Sequence, residues 1–231
     1  MKAVILAGGR GSRLGKLTEF RPKPLIEVLG KPLLEHLIRN ASDVGIKDYI
    51  VNIGYLGSMM QKYFGNGSRL GINMQYMEST GKGPEMPLFT ARPHLDDETF
   101  CCFCGDNILL PSQIEKIIKS HSQNRADATF TLEQGESEKI KRVKVERDRI
   151  VGASTSVRDP VLVYNMVMQT AFLDILYEKV KDKEDKAFAF AMDDLVNEHN
   201  IYALDIPFIN INLPEDILNA ERILSGVDKN E

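Results

Sequence analysis

Short apolar runs alternate with longer amphipathic stretches along the whole chain. Ala3 to Leu6 is a continuous apolar run, the pattern of a strand buried on both faces, and it leads straight into Gly8, Gly9 and Gly11. Lys31-Pro32 opens a helical stretch to about Val44, with Leu33, Leu34, Leu37, Ile38 and Ala41 at helical spacing and proline in the first turn. Gly45 ends that stretch, and Tyr49 to Ile53 is a second strand. Leu56 to Phe64 reads as a helix stopped by Gly65-Asn66-Gly67, and Ile72 to Met77 as a third strand. The stretch ESTGKGPEMPLF after it is rich in turn residues. Phe100 to Phe103 is a fourth strand ending in Gly105-Asp106-Asn107. Pro111 to Gln123 is an amphipathic helix with Ile114, Ile117 and Ile118 on one face, and Thr129 to Leu132 is a fifth strand.

The pattern then changes. Val143 to Val145, Ile150 to Ala153 and Val161 to Met168 read as strands around charged turns. Phe172 to Val180 and Met192 to His199 are helical, Tyr202 to Ile206 is a strand, and Pro214 to Leu224 is the last helix. Glu215 and Asp216 stand in its first turn, where they suit the helix dipole. This alternation predicts an α/β fold with a doubly wound, mostly parallel sheet, in one domain over residues 1–231. Ligands of such sheets bind beyond the carboxyl ends of the strands, and Gly8 and Asp106 both fall at such ends.

Composition narrows the partners. The 231 residues are 43% apolar and 27% charged, ordinary for a globular protein with a real core. A net charge of −4 gives no reason to expect nucleic acid. No apolar run reaches the length of a membrane span, and only five apolar residues separate Lys2 from the glycines, too few for a signal peptide. A cytoplasmic protein without a membrane partner is expected, with a homo-oligomer left open. Cys101, Cys102 and Cys104 share one apolar run and no other cysteine completes a zinc set, so they read as small apolar residues on a buried strand.

The candidate chemistry lies in Val4 to Leu25, VILAGGRGSRLGKLTEFRPKPL. Glycines after a strand let N–H groups form a concavity suited to anions. Arg13 adds a charged fork, and Lys23 a compact charge between Pro22 and Pro24. A P-loop is excluded, because Gly15-Lys16 is followed by Leu17. The dinucleotide fingerprint is excluded too, because Gly9-Arg10-Gly11-Ser12-Arg13-Leu14 lacks its third glycine.

LAGGRGSRL followed by RPKPLIEVLGKPLLEHLI resembles the opening of the nucleoside-triphosphate:sugar-1-phosphate nucleotidyltransferases. That resemblance implies transfer of a nucleoside monophosphate from an NTP to a sugar 1-phosphate, with Mg²⁺ as cofactor. It implies a small mixed-strand insertion over the acceptor pocket. It casts Leu6, Ala7, Gly8, Gly9, Gly11 and Ser12 as the nucleotide loop, Arg13 as the brace for pyrophosphate and Lys23 as the cation at the α-phosphate. Asp106 of CGDN becomes the metal ligand. Asn210 of INLPED stands where relatives usually have an aspartate, as the second ligand. Glu78, Gly81 and Gly83 fall on the base side, with Glu78 pointing to an amino-bearing base.

The acceptor side departs from the family. The E-K-P lysine is missing, and Thr155-Ser156-Val157-Arg158 stands near its place. Asn107, Arg158 and Tyr164 are the candidates for the acceptor. Two other readings stay open: the same chemistry on phosphocholine, a polyol phosphate or cobinamide phosphate, and a non-catalytic nucleotide-binding subunit.

Overall fold

The computed structural model describes residues 1–79, 85–133, 142–182 and 188–226. Its strands are β1 (Lys2–Leu6), β2 (Glu27–Val28), β3 (Lys31–Pro32), β4 (Asp48–Ile53), β5 (Asn73–Glu78), β6 (Thr99–Cys104), β7 (Asn107–Ile108), β8 (Ala128–Glu133), β9 (Arg142–Glu146), β10 (Arg149–Ser154), β11 (Val161–Gln169), β12 (Ile201–Leu204) and β13 (Ile209–Asn210). The helices are α1 (Leu33–Asp43), α2 (Gly57–Phe64), α3 (Met86–Ala91), α4 (Pro111–Gln123), α5 (Thr170–Val180), α6 (Phe188–Leu195) and α7 (Pro214–Ser225).

Nine strands form one sheet in the order β5-β4-β1-β6-β11-β8-β12-β10-β9. The first four are parallel, joined through helical crossovers. β11 runs antiparallel between β6 and β8, β12 lies parallel beside β8, and β10 and β9 complete the far edge antiparallel. The mixed strands expected after residue 133 therefore continue the main sheet. Since β11 pairs Met166 with Cys102, its residues 161–163 extend beyond the carboxyl end of β6, where they pair with the end of β8.

Alternation along the strands divides the core between two faces. Val4, Ile50, Cys102 and Phe130 pack with α3, α5 and α6, whereas Ile5, Val51, Cys101 and Phe103 pack with α1, α2 and α4. That is the doubly wound arrangement. A third cluster joins Leu14, Ile26, Val28, Leu33, Ile108, Ile211 and Ala220. It fastens the glycine loop, the small β7–β13 ribbon and α7 to one another at the carboxyl end of β1 and β6.

Some elements differ from the sequence expectation. The turn-rich pattern predicts a loop where α3 forms, because the glycines and prolines around it hide a single apolar turn at Leu88 and Ala91. α6 starts four residues earlier than expected and ends at Leu195. β11 has nine residues and is one of the longest elements in the sheet rather than a short strand.

His121 of α4 is buried against Thr129, with its Nδ1 3.3 Å from the hydroxyl. Burial pulls its pKa from an ordinary 6.5 down to about 4, partly offset by Asp127. The unfolded chain therefore binds more protons between these values, so stability is full above about pH 6.5 and falls as pH drops towards 4. Urea titrations from pH 7 to pH 4 should show His121→Leu losing less stability than wild type, by roughly 2 kcal/mol. Parallel pH profiles for the two proteins would remove His121 as the source.

Candidate active site

The glycine loop leaves β1 between two neighbouring strands, with Leu6 in register with Asn52 of β4 and Cys104 of β6. The Ala7 N–H donates to the Asn52 carbonyl (3.0 Å), and the Gly8 carbonyl accepts from the Tyr55 N–H (3.2 Å). A Cβ on Gly54 would lie 2.6 Å from the Gly8 oxygen, and one on Gly8 would lie 2.9 Å from Asn52 Nδ2. Gly54 requires glycine because two backbones touch there, whereas a Cβ on Gly8 would press on the Asn52 side-chain amide. Gly8 thus serves the turn, while Gly9, Gly11 and Ser12 face outwards. Gly11 is left-handed, with φ of +67°. Buried Thr18 shares its hydroxyl proton between the Gly11 and Gly15 carbonyls, at 3.1 and 3.2 Å. Arg10 stacks over Tyr55 and Arg21 pairs with Glu27 at the surface, both away from the cleft.

Lys23 begins a single 3₁₀ turn after the extended Pro22, and its side chain is buried. Its Nζ donates to Asp106 Oδ2 (2.6 Å) and to Asn212 Oδ1 (3.1 Å). Arg13 Nη2 donates to the same Asn212 oxygen (2.7 Å). Asp106 reaches this point because Gly105 lets β6 end tightly against β1, its N–H donating to the Leu6 carbonyl (2.9 Å). A Cβ on Gly105 would come within 3.0 Å of the Ala7 Cβ. The result is an open cleft of about 310 Å³ lined by Leu6, Ala7, Gly9, Gly11, Ser12, Arg13, Lys23, Pro24 and Asp106. Two cations and several loop N–H groups facing one cleft suit a polyanion.

Asn212 was absent from the sequence-based set. Asp216 caps the start of α7 by accepting from the Asn212 and Leu213 N–H groups (2.7 and 2.8 Å), and this fixes the Asn212 side chain over Lys23 and Arg13. The readable signal was the capping acid in NLPED, which predicts that the residue before Leu213 is held at the strand end.

Asn107 and Asn210 face each other across the β7–β13 ribbon, one residue from Asp106. Asn107 is buried, and the Oδ1 atoms of both asparagines are buried without a hydrogen-bond partner among the described residues. Asn210 Nδ2 lies 3.4 Å from Glu133 Oε1 at the end of β8. One carboxylate and neutral amide oxygens fit a hard cation such as Mg²⁺. Among the described residues no group of three His, Cys, Asp or Glu forms another metal site. The cysteines do not compete. Burial pushes the Cys101 thiol up to about 12 and raises Cys104 as well, the latter helped by Asp106 and, more weakly, Glu133.

The remaining candidates are more scattered. Glu78 is exposed at the end of β5, opposite Ile53. Gly81 and Gly83 lie outside the described residues. Tyr164 donates to buried Glu85, and burial and that carboxylate raise its pKa. Arg158 is exposed in the turn before β11, its backbone N–H donating to Ser156 Oγ (3.2 Å). It is not among the residues lining the cleft.

The profile of the family described as Nucleotidyl transferase matches residues 2–142. The chain is 35% identical over 135 residues to the UTP–glucose-1-phosphate uridylyltransferase AglF of Haloferax volcanii, covering 58% of this chain and 54% of that protein. It is 52% identical over 66 residues to a glucose-1-phosphate cytidylyltransferase of Salmonella typhimurium, covering 29% and 26%. The chain spans about half the length of the curated relatives it matches, 54% for AglF and 45% for a mannose-1-phosphate guanylyltransferase of Mycobacterium tuberculosis. Among solved structures, a putative glucose-1-phosphate thymidylyltransferase of Bacillus anthracis superposes with a TM-score of 0.80 at 16% identity, over 100% of this chain and 98% of that one. The inositol-1-phosphate CTP transferase of T. maritima gives 0.77 at 20% identity, over 99% and 96%. Those two likenesses concern the fold. With the family profile matched over more than half its length, the chain belongs to the nucleotidyl transferase family.

Proposed function

We propose that this protein transfers a nucleoside monophosphate from an NTP to a sugar 1-phosphate. An acceptor phosphate oxygen forms a bond to the α-phosphorus, the bond from that phosphorus to the bridging oxygen breaks, and pyrophosphate leaves. The observation that carries the reading is the convergence of Lys23, Arg13 and Asp106 at the mouth of the glycine loop. The barrier is electrostatic, since an anion approaches a polyanion, and fixed cations are the residue types that lower it. The N–H groups of Gly9 to Ser12 hold the triphosphate. Arg13 braces the leaving pyrophosphate with its planar fork. Lys23, already desolvated, meets the charge growing on the α-phosphate. Mg²⁺ held by Asp106 and Asn210 supplies charge neutralisation of the phosphates when bound.

Sugar 1-phosphates are the acceptors in the names of the sequence relatives, which supports this acceptor class. The missing E-K-P lysine favours a second reading, the same chemistry on a polyol phosphate or another small phosphorylated acceptor. Exposed Glu78, a hydrogen-bond acceptor at the end of β5, favours a base bearing an amino group over uracil or thymine. A cytoplasmic enzyme fits these small substrates, and no described helix is long and apolar enough to cross a membrane.

The test is pyrophosphate release over a grid of CTP, ATP, GTP, UTP and dTTP against sugar 1-phosphates, polyol phosphates, phosphocholine and cobinamide phosphate. Release with an amino-bearing base and a sugar 1-phosphate is expected. A preference for UTP or dTTP overturns the role of Glu78, and silence across the grid overturns the enzymatic reading in favour of a nucleotide-binding subunit.

A further inference from the structure

Asn210 brings no charge to the metal site, although it lies cross-strand from Asn107, the residue that follows Asp106. A two-ligand site with a single negative charge holds a divalent cation poorly. The structure places another carboxylate beside Asn210. Glu133 ends β8, and its Oε1 lies 3.4 Å from the Asn210 amide nitrogen. A carboxylate at neutral pH only accepts hydrogen bonds, so the amide must turn its nitrogen towards Glu133. The carbonyl oxygen is then directed away, and it is this Oδ1 that is buried with no hydrogen-bond partner among the described residues. Asn107 repeats the arrangement. It is cross-strand from Asn210, only 2% exposed, and its Oδ1 is unpartnered too. Residues opposite each other in an antiparallel pair project from the same face, so both asparagine side chains belong to one side of the ribbon, which begins one residue after Asp106.

We propose that Glu133 is a positioning residue for the metal site: it orients the Asn210 amide so that Oδ1 faces the cation, and it supplies the second negative charge that Asn210 lacks. The inference rests on the reading of Asp106 and Asn210 as metal ligands. It also accounts for asparagine at position 210. An aspartate there would set two carboxylates against each other at the distance now spanned by an amide and a carboxylate. Outer partners of metal ligands typically change metal affinity by about 10–100-fold when removed.

The test uses Mn²⁺ alone, without nucleotide, counted by electron paramagnetic resonance of the free ion, so that no turnover enters the result. Glu133→Gln removes the charge and lets the Asn210 amide rotate, because a glutamine both donates and accepts. It should weaken Mn²⁺ binding by about 10-fold with an unchanged thermal midpoint. Adding Asn210→Asp to Glu133→Gln moves the charge across the contact and should restore binding to within about threefold of wild type. A merely structural role for Glu133 predicts no such rescue. Equal Mn²⁺ affinity for wild type and Glu133→Gln overturns the proposal alone, as does a double variant as weak as Glu133→Gln. Failure of wild type to bind Mn²⁺ overturns the proposal, because the charge of Glu133 would then hold no cation in the absence of phosphates, whereas the metal reading falls only if turnover is also independent of Mg²⁺.

Discussion

Replacing Lys23 by alanine should cut turnover at saturating NTP by roughly 10²-fold or more, the scale of losing one electrostatic contact to the transition state. The geometry makes this loss specific. Lys23 Nζ is buried and held by Asp106 and Asn212, so its charge is fixed before substrate arrives and needs no reorganisation during the reaction. The fold should survive, because the turn is held by the Pro22 and Lys23 carbonyls through backbone bonds that alanine leaves in place. Asp106 is left without its partner, but its side chain is 35% exposed and water can solvate it. Lys23→Arg should rescue little, since a planar guanidinium does not fit a slot built for a compact ammonium. Arg13→Ala provides the contrast: part of its loss should appear as weaker NTP binding. Steady-state kinetics with NTP varied separates the two, and near wild-type turnover by Lys23→Ala would remove Lys23 from the chemistry.

The parallel half of the sheet was legible because its signals are local. Ala3 to Leu6 and Phe100 to Phe103 are apolar without interruption and Tyr49 to Ile53 is broken only by Asn52, as suits strands buried on both faces, and each lies inside an observed strand. α4 matches its predicted bounds, since Pro111 and the isoleucine stripe mark both its start and its face. The mixed half was harder. Nothing local in Val161 to Met168 says that this strand enters between β6 and β8 in the reverse direction, because pairing partners are chosen by the whole sheet. α3 and α6 were lost or shifted where short apolar turns sit among glycine, proline and charge.

The cleft shows the same division. The candidate residues between Leu6 and Lys23 line one cleft apart from Gly8, and Asp106 joins them from the next strand end. Gly8 is the exception within the loop, set against the Gly54 backbone and the Asn52 side-chain amide by contacts that only the fold reveals. The roles of Asn212 and Glu133 are not legible in the sequence, because they come from contacts across 189 and 77 positions. No spacing rule connects them to Lys23 or Asn210.

Asp106→Ala should nearly abolish Mg²⁺-dependent turnover, the largest effect expected of any single substitution here. It removes the only carboxylate among the proposed direct ligands, and it also frees the Lys23 ammonium that the carboxylate holds at 2.6 Å. Asn210→Ala should cost less, because it removes a neutral oxygen and leaves the charge of Asp106 in place. Asn210→Asp should retain turnover at a cost smaller than that of alanine, the added charge being set against Glu133. Mg²⁺ sites that use few carboxylates depend on substrate phosphates to complete the shell, so the wild-type rate should rise with free Mg²⁺ at fixed NTP and saturate only at high concentrations. Turnover against free Mg²⁺ for wild type and the three variants is the measurement. Two causes of loss in Asp106→Ala are separable in it: a missing ligand shifts the Mg²⁺ dependence to higher concentration, whereas a misplaced Lys23 lowers the plateau. Activity retained by Asp106→Ala and lost by Asn210→Ala would move the metal away from β6 and withdraw both assignments.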